Sequence, residues 1–280
     1  MYANDTTQDV SDKSIDVIEN KLLRDLKNTL EWMDKNKLTI NLKKTQCMLI
    51  GTEQRLRKSR KLSLQVDDVF IENVSCAKLL GVYIDRCLTW SEHVEILSKK
   101  LASKLGVLSR LRSIMSTELL LRIFNTIVFP HFNYCCTVWG NTKNKESLYK
   151  LCKLQKRAAR IILNKTFFTP TIEMMQQLRW MPISDYFIYR TIILVFKVLH
   201  GFTPNYLNVF RYVHEINTRS TRLSQSNALY IKKAKTEYFR RSFTIHGSNL
   251  WNSMPEFLKR ITTLETFKSA YLHNYVNSRN

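Results

Sequence analysis

The residues best suited to chemistry stand at the start of the chain, in the stretch Tyr2-Ala3-Asn4-Asp5. A carboxylate such as that of Asp5 is a preferred ligand of hard divalent cations. Asn4 carries no charge, and its amide points hydrogens at a cation unless the carbonyl oxygen is turned inward. On its own, the tetrapeptide fits a random surface as well as it fits a corner of an active site.

Two groups of basic residues are spaced to contact phosphates. The first group is Lys99, Lys100, Lys104 and Arg110, and the second is Lys153, Lys156, Arg157 and Arg160. Residues 143–165 hold eight bases against the single acid Glu146, and this scarcity of acids favours phosphate contact. Charged helix faces are more often only solvated, so both interpretations stay open for these residues.

The elements that must position these side chains are mostly helices. Apolar residues at helical spacing predict helices over about 14–36, 91–113, 117–129, 145–163 and 185–200, with a last helix after residues 262–265. A T-x-x-E capping box at Thr89–Glu92 is expected to start the second helix, and Pro130 to end or kink the third. Gly201 is expected to close the helix over 185–200.

Short β-like segments are confined to the first 90 residues. They are predicted at 38–42, 46–50, 62–66, 69–72 and 79–84, with a tight hairpin at Val66-Asp67-Asp68-Val69. Residues 214–250 are polar and basic and are expected to be extended. The predicted fold class is therefore α+β and predominantly helical.

Composition and charge point to a nucleic-acid partner. The 280 residues carry a formal net charge of +21. A basic balance of this size usually reflects a nucleic-acid partner, less often an anionic membrane surface, and sometimes only solubility. Residues 1–34 depart from the rest, with eight acids against four bases. An acidic start followed by a basic body indicates two roles, one near metal ions and one near phosphates.

Six cysteines form no C-x-x-C pair, and no histidine stands at zinc-ligand spacing. Without a signal peptide, they are expected to be reduced thiols of an intracellular protein that is not secreted. The longest apolar runs, such as residues 192–196, are too short to span a bilayer, so no transmembrane segment and no membrane partner are expected. The pattern does not choose between nucleus and cytoplasm and does not set an oligomeric state.

Five stretches, in order, resemble the end of the palm and the following region of non-LTR (LINE-type) retrotransposon reverse transcriptases. Residues 2–5 match the Y-A-D-D box, residues 41–45 the N-x-x-K-T motif, and residues 79–85 the L-G-V-x-I-D strand of the primer-grip region. Residues 154–162 and 243–255 resemble the region beyond the polymerase, and the basic helix after residue 88 the start of the thumb. The resemblance covers essentially the whole chain.

The resemblance implies two-metal nucleotide transfer with Mg²⁺ in the parent family. Two divalent ions about 4 Å apart repel by roughly 17 kcal/mol at an effective dielectric near 20, so several carboxylates must hold them. Here Asn4 stands at the first aspartate of the box, and the strand that carries another catalytic aspartate is expected to be missing. Lys44 matches a lysine that is a candidate proton donor to pyrophosphate. We therefore expect vestigial Tyr2, Asn4, Asp5 and Lys44, no metal or cofactor in this chain, and Met1 as an internal residue read as a start.

These inferences predict a truncated, catalytically inactive RNA-directed DNA polymerase. Residues 1–88 are expected to be a residual palm, 89–168 a helical thumb-like region, and 169–280 a mostly helical C-terminal region. The expected remaining activity is weak, sequence-independent binding of RNA or DNA. A repurposed nucleic-acid-binding or protein-interaction module and a non-functional pseudogene product are the alternatives.

Overall fold

The computed structural model describes residues 6–66, 68–141, 145–216 and 227–277. Their fold is predominantly helical with a few short strands, which confirms the predicted α+β class. The helices are α1 (Ile15–Lys35), α2 (Glu53–Lys58), α3 (Ser91–Leu111), α4 (Thr117–Ile123), α5 (Phe129–Asn133), α6 (Cys136–Trp139), α7 (Lys145–Leu163), α8 (Thr171–Leu178), α9 (Ile183–Leu199), α10 (Val213–Ile216), α11 (Glu237–Arg241), α12 (Phe243–Ser253), α13 (Glu256–Lys259) and α14 (Leu264–Asn277). Among these residues, every helix is too short or too polar to traverse a bilayer.

Six short strands form three separate two-stranded sheets. They are β1 (Gln46–Cys47), β2 (Gln65–Val66), β3 (Val69–Phe70), β4 (Glu72–Asn73), β5 (Cys76–Leu79) and β6 (Val82–Asp85). Strands β1 and β4 pair in parallel, with Gln46 opposite Glu72, while β2–β3 and β5–β6 pair antiparallel. Val66 lies opposite Val69, which confirms the predicted hairpin, although Asp67 lies outside the described residues.

The chain divides into two compact units, residues 1–93 and 94–280. In the first unit, α1 packs its apolar stripe on a small core made by Leu62, Leu64 and Ile71. The carboxylate of Glu19 on α1 is buried and accepts two 2.6 Å hydrogen bonds from the guanidinium of Arg60. The helix and the strand region are thus joined by apolar packing and by one charge pair.

The second unit is organised around α9, whose sequence is apolar on most of its circumference. Its buried residues pack with α12, α13 and α14 in one core, which contains Trp251 and Phe267, both with no exposed surface. Gly201 ends α9 with φ of 72°, as predicted. The amides of Gly201 and Phe202 donate to the carbonyls of Val198 and Lys197, which is the Schellman pattern.

Two predicted elements take a different form. Residues 79–84 were expected as one strand, but they form the turn and second strand of the β5–β6 hairpin, because Leu80 and Gly81 have φ of 46° and 84°. Positive φ at both central residues defines a type I′ turn, which matches the twist of antiparallel strands. Residues 38–42 were also expected as a strand, but the described chain there contains a 3-10 turn at Leu42–Lys44 and no strand.

The helix over 117–129 does not end at Pro130. After α4 the chain forms a π-helical turn over Phe124–Val128 and continues into α5, with Pro130 in the first turn of α5. The amide of Phe129 donates to the carbonyl of Phe124, five residues back. The wider turn accommodates a proline that lacks an amide hydrogen and would clash with the preceding turn of a regular helix.

The expectation of extended chain over 214–250 is wrong for its second half. Residues 217–226 lie outside the described residues, but α11 and most of α12 fall within 237–250. Thr236 accepts a hydrogen bond from the amide of Phe239, and Ser242 accepts one from the amide of Ile245. These two N-caps satisfy backbone donors at the starts of the helices. The two helices were not predicted, because the segment is polar in composition.

Candidate nucleic-acid interface

The vestigial catalytic residues are only partly within the described chain. Tyr2, Asn4 and Asp5 lie outside the described residues, which begin at Thr6. Lys44 is exposed at the end of the 3-10 turn, where its amide donates to the carbonyl of Asn41 at 3.0 Å. Within the described ranges, no three histidine, cysteine or acidic side chains lie close enough together to hold a metal ion.

Asp85, the last residue of the L-G-V-x-I-D stretch, organises the chain leading into α3. Its carboxylate accepts hydrogen bonds from the amides of Cys87, Thr89 and Trp90 at 2.7–3.0 Å. It also accepts one from the Thr89 hydroxyl at 3.2 Å. Leu88 and Trp90 have positive φ, and α3 begins at Ser91, so this carboxylate fixes a turn that local helix signals do not describe. Asp85 thus has a structural role at the entry to the basic helix.

The buried side of α7 explains most of the L-Q-K-R-A-A-R-I-I stretch. Gln155 is buried, and its amide donates to the carbonyl of Met181 at 2.8 Å and accepts from the amide of Ile183 at 2.8 Å. These bonds attach α7 to the start of α9. Ala158 and Ala159 have no exposed surface, which allows close approach of the neighbouring helices. One face of α7 is therefore fixed by packing.

The opposite side of α7 carries Lys153, Lys156, Arg157 and Arg160 at the spacing i, i+3, i+4, i+7, so they share one face. Lys153 and Arg157 are exposed, and Lys156 and Arg160 are half-buried. None of the four forms an ion pair with a carboxylate of the described residues. Lys150, one turn earlier, differs: it contacts Glu95 at 3.0 Å and Glu146 at 3.6 Å. Glu95 and Glu146 thus pair with Lys150, whereas Lys153 and Arg157 face solvent without an acidic partner among the described residues.

We call these four side chains the α7 basic face. Two of them also contact aromatic rings. The ammonium of Lys153 lies 4.3 Å from the ring centre of Tyr149, and the guanidinium of Arg160 lies 5.0 Å from that of Phe167. Such contacts hold a long side chain in place without neutralising its charge. The face is consequently both positive and partly ordered.

The basic residues of α3 divide between two surroundings. Lys99 lies 3.8 Å from Glu95, the same carboxylate that Lys150 contacts, so the N-terminal halves of α3 and α7 adjoin there. Lys100 and Lys104 lie near His131 of α5, and Arg110 is exposed in the last turn. The structure thus places Lys99 beside α7 and directs Lys100 and Lys104 towards α5.

The surroundings of His131 show that positive charge accumulates on this side of the unit. Burial lowers the pKa of His131 below its ordinary value, and the charges of Lys100 and Lys104 lower it further. The Glu95 carboxyl has a lowered pKa because it accepts a hydrogen bond from Lys150 and lies in the field of Lys99. At neutral pH the surface between these helices therefore combines one carboxylate with several lysines.

Four of the six cysteines have raised pKa values. All six are free thiols, and burial raises the pKa of Cys136 to about 11. Burial also raises the pKa values of Cys47, Cys76 and Cys152. A thiol with a raised pKa is a poor nucleophile at neutral pH, so these four cysteines are not suited to nucleophilic catalysis.

Comparison with known proteins gives one relevant similarity. No protein-family profile and no solved structure matches the chain. The chain is 25% identical over 158 residues to the "Probable RNA-directed DNA polymerase from transposon X-element" of Drosophila melanogaster. The matched stretch of 158 residues is thus related to a transposon reverse transcriptase. The match covers 55% of the chain but only 17% of the relative, so the activity of the whole polymerase is not carried over with it.

Sequence reasoning missed the aromatic residues of this surface. Tyr149 and Phe167 were not assigned any role, although each contacts a residue of the α7 basic face. A signal was present, because Phe167 and Phe168 stand next to each other between two helices and outside any apolar stripe. Adjacent aromatics in such a position have no helix face to bury them.

Proposed function

We propose that this chain derives from the reverse transcriptase of a non-LTR (LINE-type) retrotransposon and retains sequence-independent binding of RNA or DNA. Residues 1–88 then correspond to part of the palm, 89–168 to a thumb-like region and 169–280 to the C-terminal region of the parent enzyme. The transposon relative supports the origin, and the order of the five resembling stretches supports the assignment of regions.

The observation that carries the binding proposal is the α7 basic face, four cations on one face with no acidic partner among the described residues. Unpaired lysines and arginines release condensed counterions when they contact phosphates, and this release drives nonspecific binding. On α3, Lys99 lies next to Glu95, which also pairs with Lys150 of α7, and Lys100, Lys104 and Arg110 add further positive charge to the same helix. Contacts of this kind recognise the backbone and carry no sequence information.

We also propose that the chain is inactive as a polymerase. Asn4 occupies a position where the resembling enzymes have an aspartate, and an amide cannot offset the repulsion between two divalent ions. With Asp5 as the only carboxylate of the box, the two-ion arrangement has too little negative charge. The parent family's Mg²⁺ is therefore not a cofactor of this chain in our proposal.

A direct test combines binding with primer extension. The purified chain should bind two duplexes of unrelated sequence with dissociation constants that agree within about twofold, each roughly 10⁻⁴ to 10⁻⁶ M at physiological salt. It should not extend a primer on an RNA template with Mg²⁺ or Mn²⁺, and neither should the Asn4→Asp variant. Strong preference for one duplex would contradict sequence-independent binding, and extension by either protein would contradict inactivity.

A further inference from the structure

An exposed aromatic pair lies directly after the α7 basic face. Phe167 is 76% exposed and Phe168 is 90% exposed, and their rings meet edge to face with centres 5.8 Å apart. Folding normally removes phenylalanine rings from water, because burying their apolar surface is favourable. Two adjacent phenylalanines left in water are therefore unexplained by folding.

The backbone presents this pair at the tip of a closed turn. The amide of Thr169 donates to the carbonyl of Thr166 at 3.4 Å, and the hydroxyls of the same two residues lie 3.4 Å apart. Phe167 and Phe168 are the two central residues of that turn, where glycine, asparagine, aspartate or proline is the usual choice. Turn formation therefore does not account for two phenylalanines at these positions.

A cation fixes the orientation of the first ring. The guanidinium of Arg160, the last member of the α7 basic face, lies 5.0 Å from the ring centre of Phe167. The amide of Lys165 donates to the carbonyl of Arg160 at 3.1 Å, which folds the end of the helix back towards the turn. The cationic groups of α7 and the aromatic rings of the turn therefore lie next to each other on one continuous surface.

This inference rests on the proposed function. We propose that Phe167 and Phe168 form a stacking platform for unpaired bases, so that the surface binds single-stranded nucleic acid, with the α7 basic face contacting its phosphates. A positively charged track combined with exposed aromatic rings is the arrangement that holds single strands without sequence preference. The bases of a duplex are already stacked on each other, so the phenylalanines add nothing to duplex binding.

The test compares single strands and duplexes with a matched pair of variants of the full chain. The test variant is Phe167→Leu with Phe168→Leu, which keeps apolar side chains and removes the rings. The control is Phe202→Leu with Tyr206→Leu, two exposed aromatics of the same unit at 58% and 81% exposure. Binding of fluorescein-labelled 20-nucleotide single strands, and of the duplex of the same sequence, is followed by fluorescence anisotropy. Circular dichroism checks that each variant remains folded.

We expect the test variant to weaken single-strand binding by about 5- to 150-fold and to leave duplex binding and the salt dependence unchanged. The control should bind both oligonucleotides like the wild type, and Phe167→Tyr with Phe168→Tyr should retain single-strand affinity. Unchanged single-strand affinity in the test variant, or an equal loss on the duplex, would overturn this inference alone. A wild-type chain that binds neither oligonucleotide, or binds only anionic lipid vesicles, would overturn the proposed function as well.

Discussion

At the scale of single residues, Glu19 shows how one charge pair connects distant parts of the first unit. Its carboxylate is buried on α1 and accepts hydrogen bonds from Arg60 and from the amide of Ser63. The hydrogen bond from Arg60 lowers the pKa of Glu19 below its ordinary value of 4.5, although burial alone would raise it. Removing Arg60 would leave the Glu19 carboxylate buried without its ion-pair partner, whereas Arg60 is exposed and also pairs with Asp16.

This shift predicts how the first unit responds to acid. Because the folded pKa is below the unfolded one, Glu19 contributes stability that is present above about pH 4.5 and is lost as pH falls through the folded pKa. Glu19→Gln should lower stability at pH 7 and make the α1 region less sensitive to acid. Hydrogen exchange of α1 peptides at pH 7 and pH 3, corrected for intrinsic rates, measures this. Glu31→Gln on the same helix is the control, and equal acid sensitivity in wild type and Glu19→Gln would contradict the account.

Some residue roles could be predicted from the sequence, and the reason lies in side-chain size. A tryptophan favours the core because of its large apolar ring system, and Trp251 is fully buried with its indole nitrogen donating to the carbonyl of Asn227 at 2.8 Å. The pairing of Glu19 with Arg60 could not be predicted, because it depends on how α1 docks on residues far along the chain. A charged residue within an apolar stripe indicates a partner but does not identify it.

At the scale of secondary-structure elements, two helical glycines have opposite roles. A Cβ at Gly247 of α12 would lie 2.8 Å from Val195 Cγ2 and 3.0 Å from Phe210 Cζ, so α12 needs glycine to approach α9. A Cβ at Gly106 of α3 would have no neighbouring atom within 4 Å. The same substitution should therefore change stability in opposite directions.

The prediction is that Gly247→Ala lowers the free energy of unfolding by about 1–3 kcal/mol through overpacking. Gly106→Ala should raise it by about 0.5–1 kcal/mol, because alanine loses less backbone entropy in a helix. Urea unfolding followed by circular dichroism measures both changes. Destabilisation by Gly106→Ala, or no effect of Gly247→Ala, would show that the helices pack differently from this description.

Elements with a continuous apolar stripe were the ones that could be predicted. The structure has α7 over the predicted residues and α9 within two residues of prediction, because helical spacing and a closing glycine are local signals. The β5–β6 turn was missed because Leu80 adopts positive φ, which a leucine rarely does outside a context that imposes it. Whether the helix ends or kinks at Pro130 could not be decided from the sequence, because a π-helical turn has no simple sequence signal.

At the scale of the whole molecule, the two units differ in the size of their cores. Among the described residues, the cluster under α1 in the first unit contains three buried apolar residues, Leu62, Leu64 and Ile71, whereas the α9 cluster of the second contains eleven. The strands of the first unit pair only two at a time in the described chain. A small core and unpaired strand edges predict low local stability.

Hydrogen exchange should therefore distinguish the two units. We expect the described residues up to 50 to exchange faster than α3 and α7, since opening the first unit exposes less apolar surface. Measured by mass spectrometry at neutral pH, protection should be lower in the α1 and β1 peptides than in the peptides of the two basic helices. Equal protection would favour a self-sufficient first unit and with it a repurposed protein.

The candidate interface could be predicted from the sequence only in part. The eight basic residues and the helices that carry them could be identified from the sequence, but the neutralisation of their charges depends on tertiary neighbours. Glu95 lies near both Lys99 and Lys150, whereas the α7 basic face has no such acid within the described residues. Because of this difference, we assign the main phosphate contacts to α7 and only additional positive charge to α3.

The most direct test of the central claim is the salt dependence of duplex binding. With four to six phosphate contacts, log Kobs against log salt should have a slope of roughly −4 to −5. Changing Lys153, Lys156, Arg157 and Arg160 together to glutamine should flatten the slope by up to about 3 to 4 units and leave the fold intact. The control removes the same charge from Arg211, Lys232, Lys233 and Lys235, all exposed in the same unit, and should leave the slope near the wild-type value. A slope unchanged by the α7 substitutions, or changed equally by the control, would show that the positive charge acts diffusely and would contradict binding through the α7 basic face.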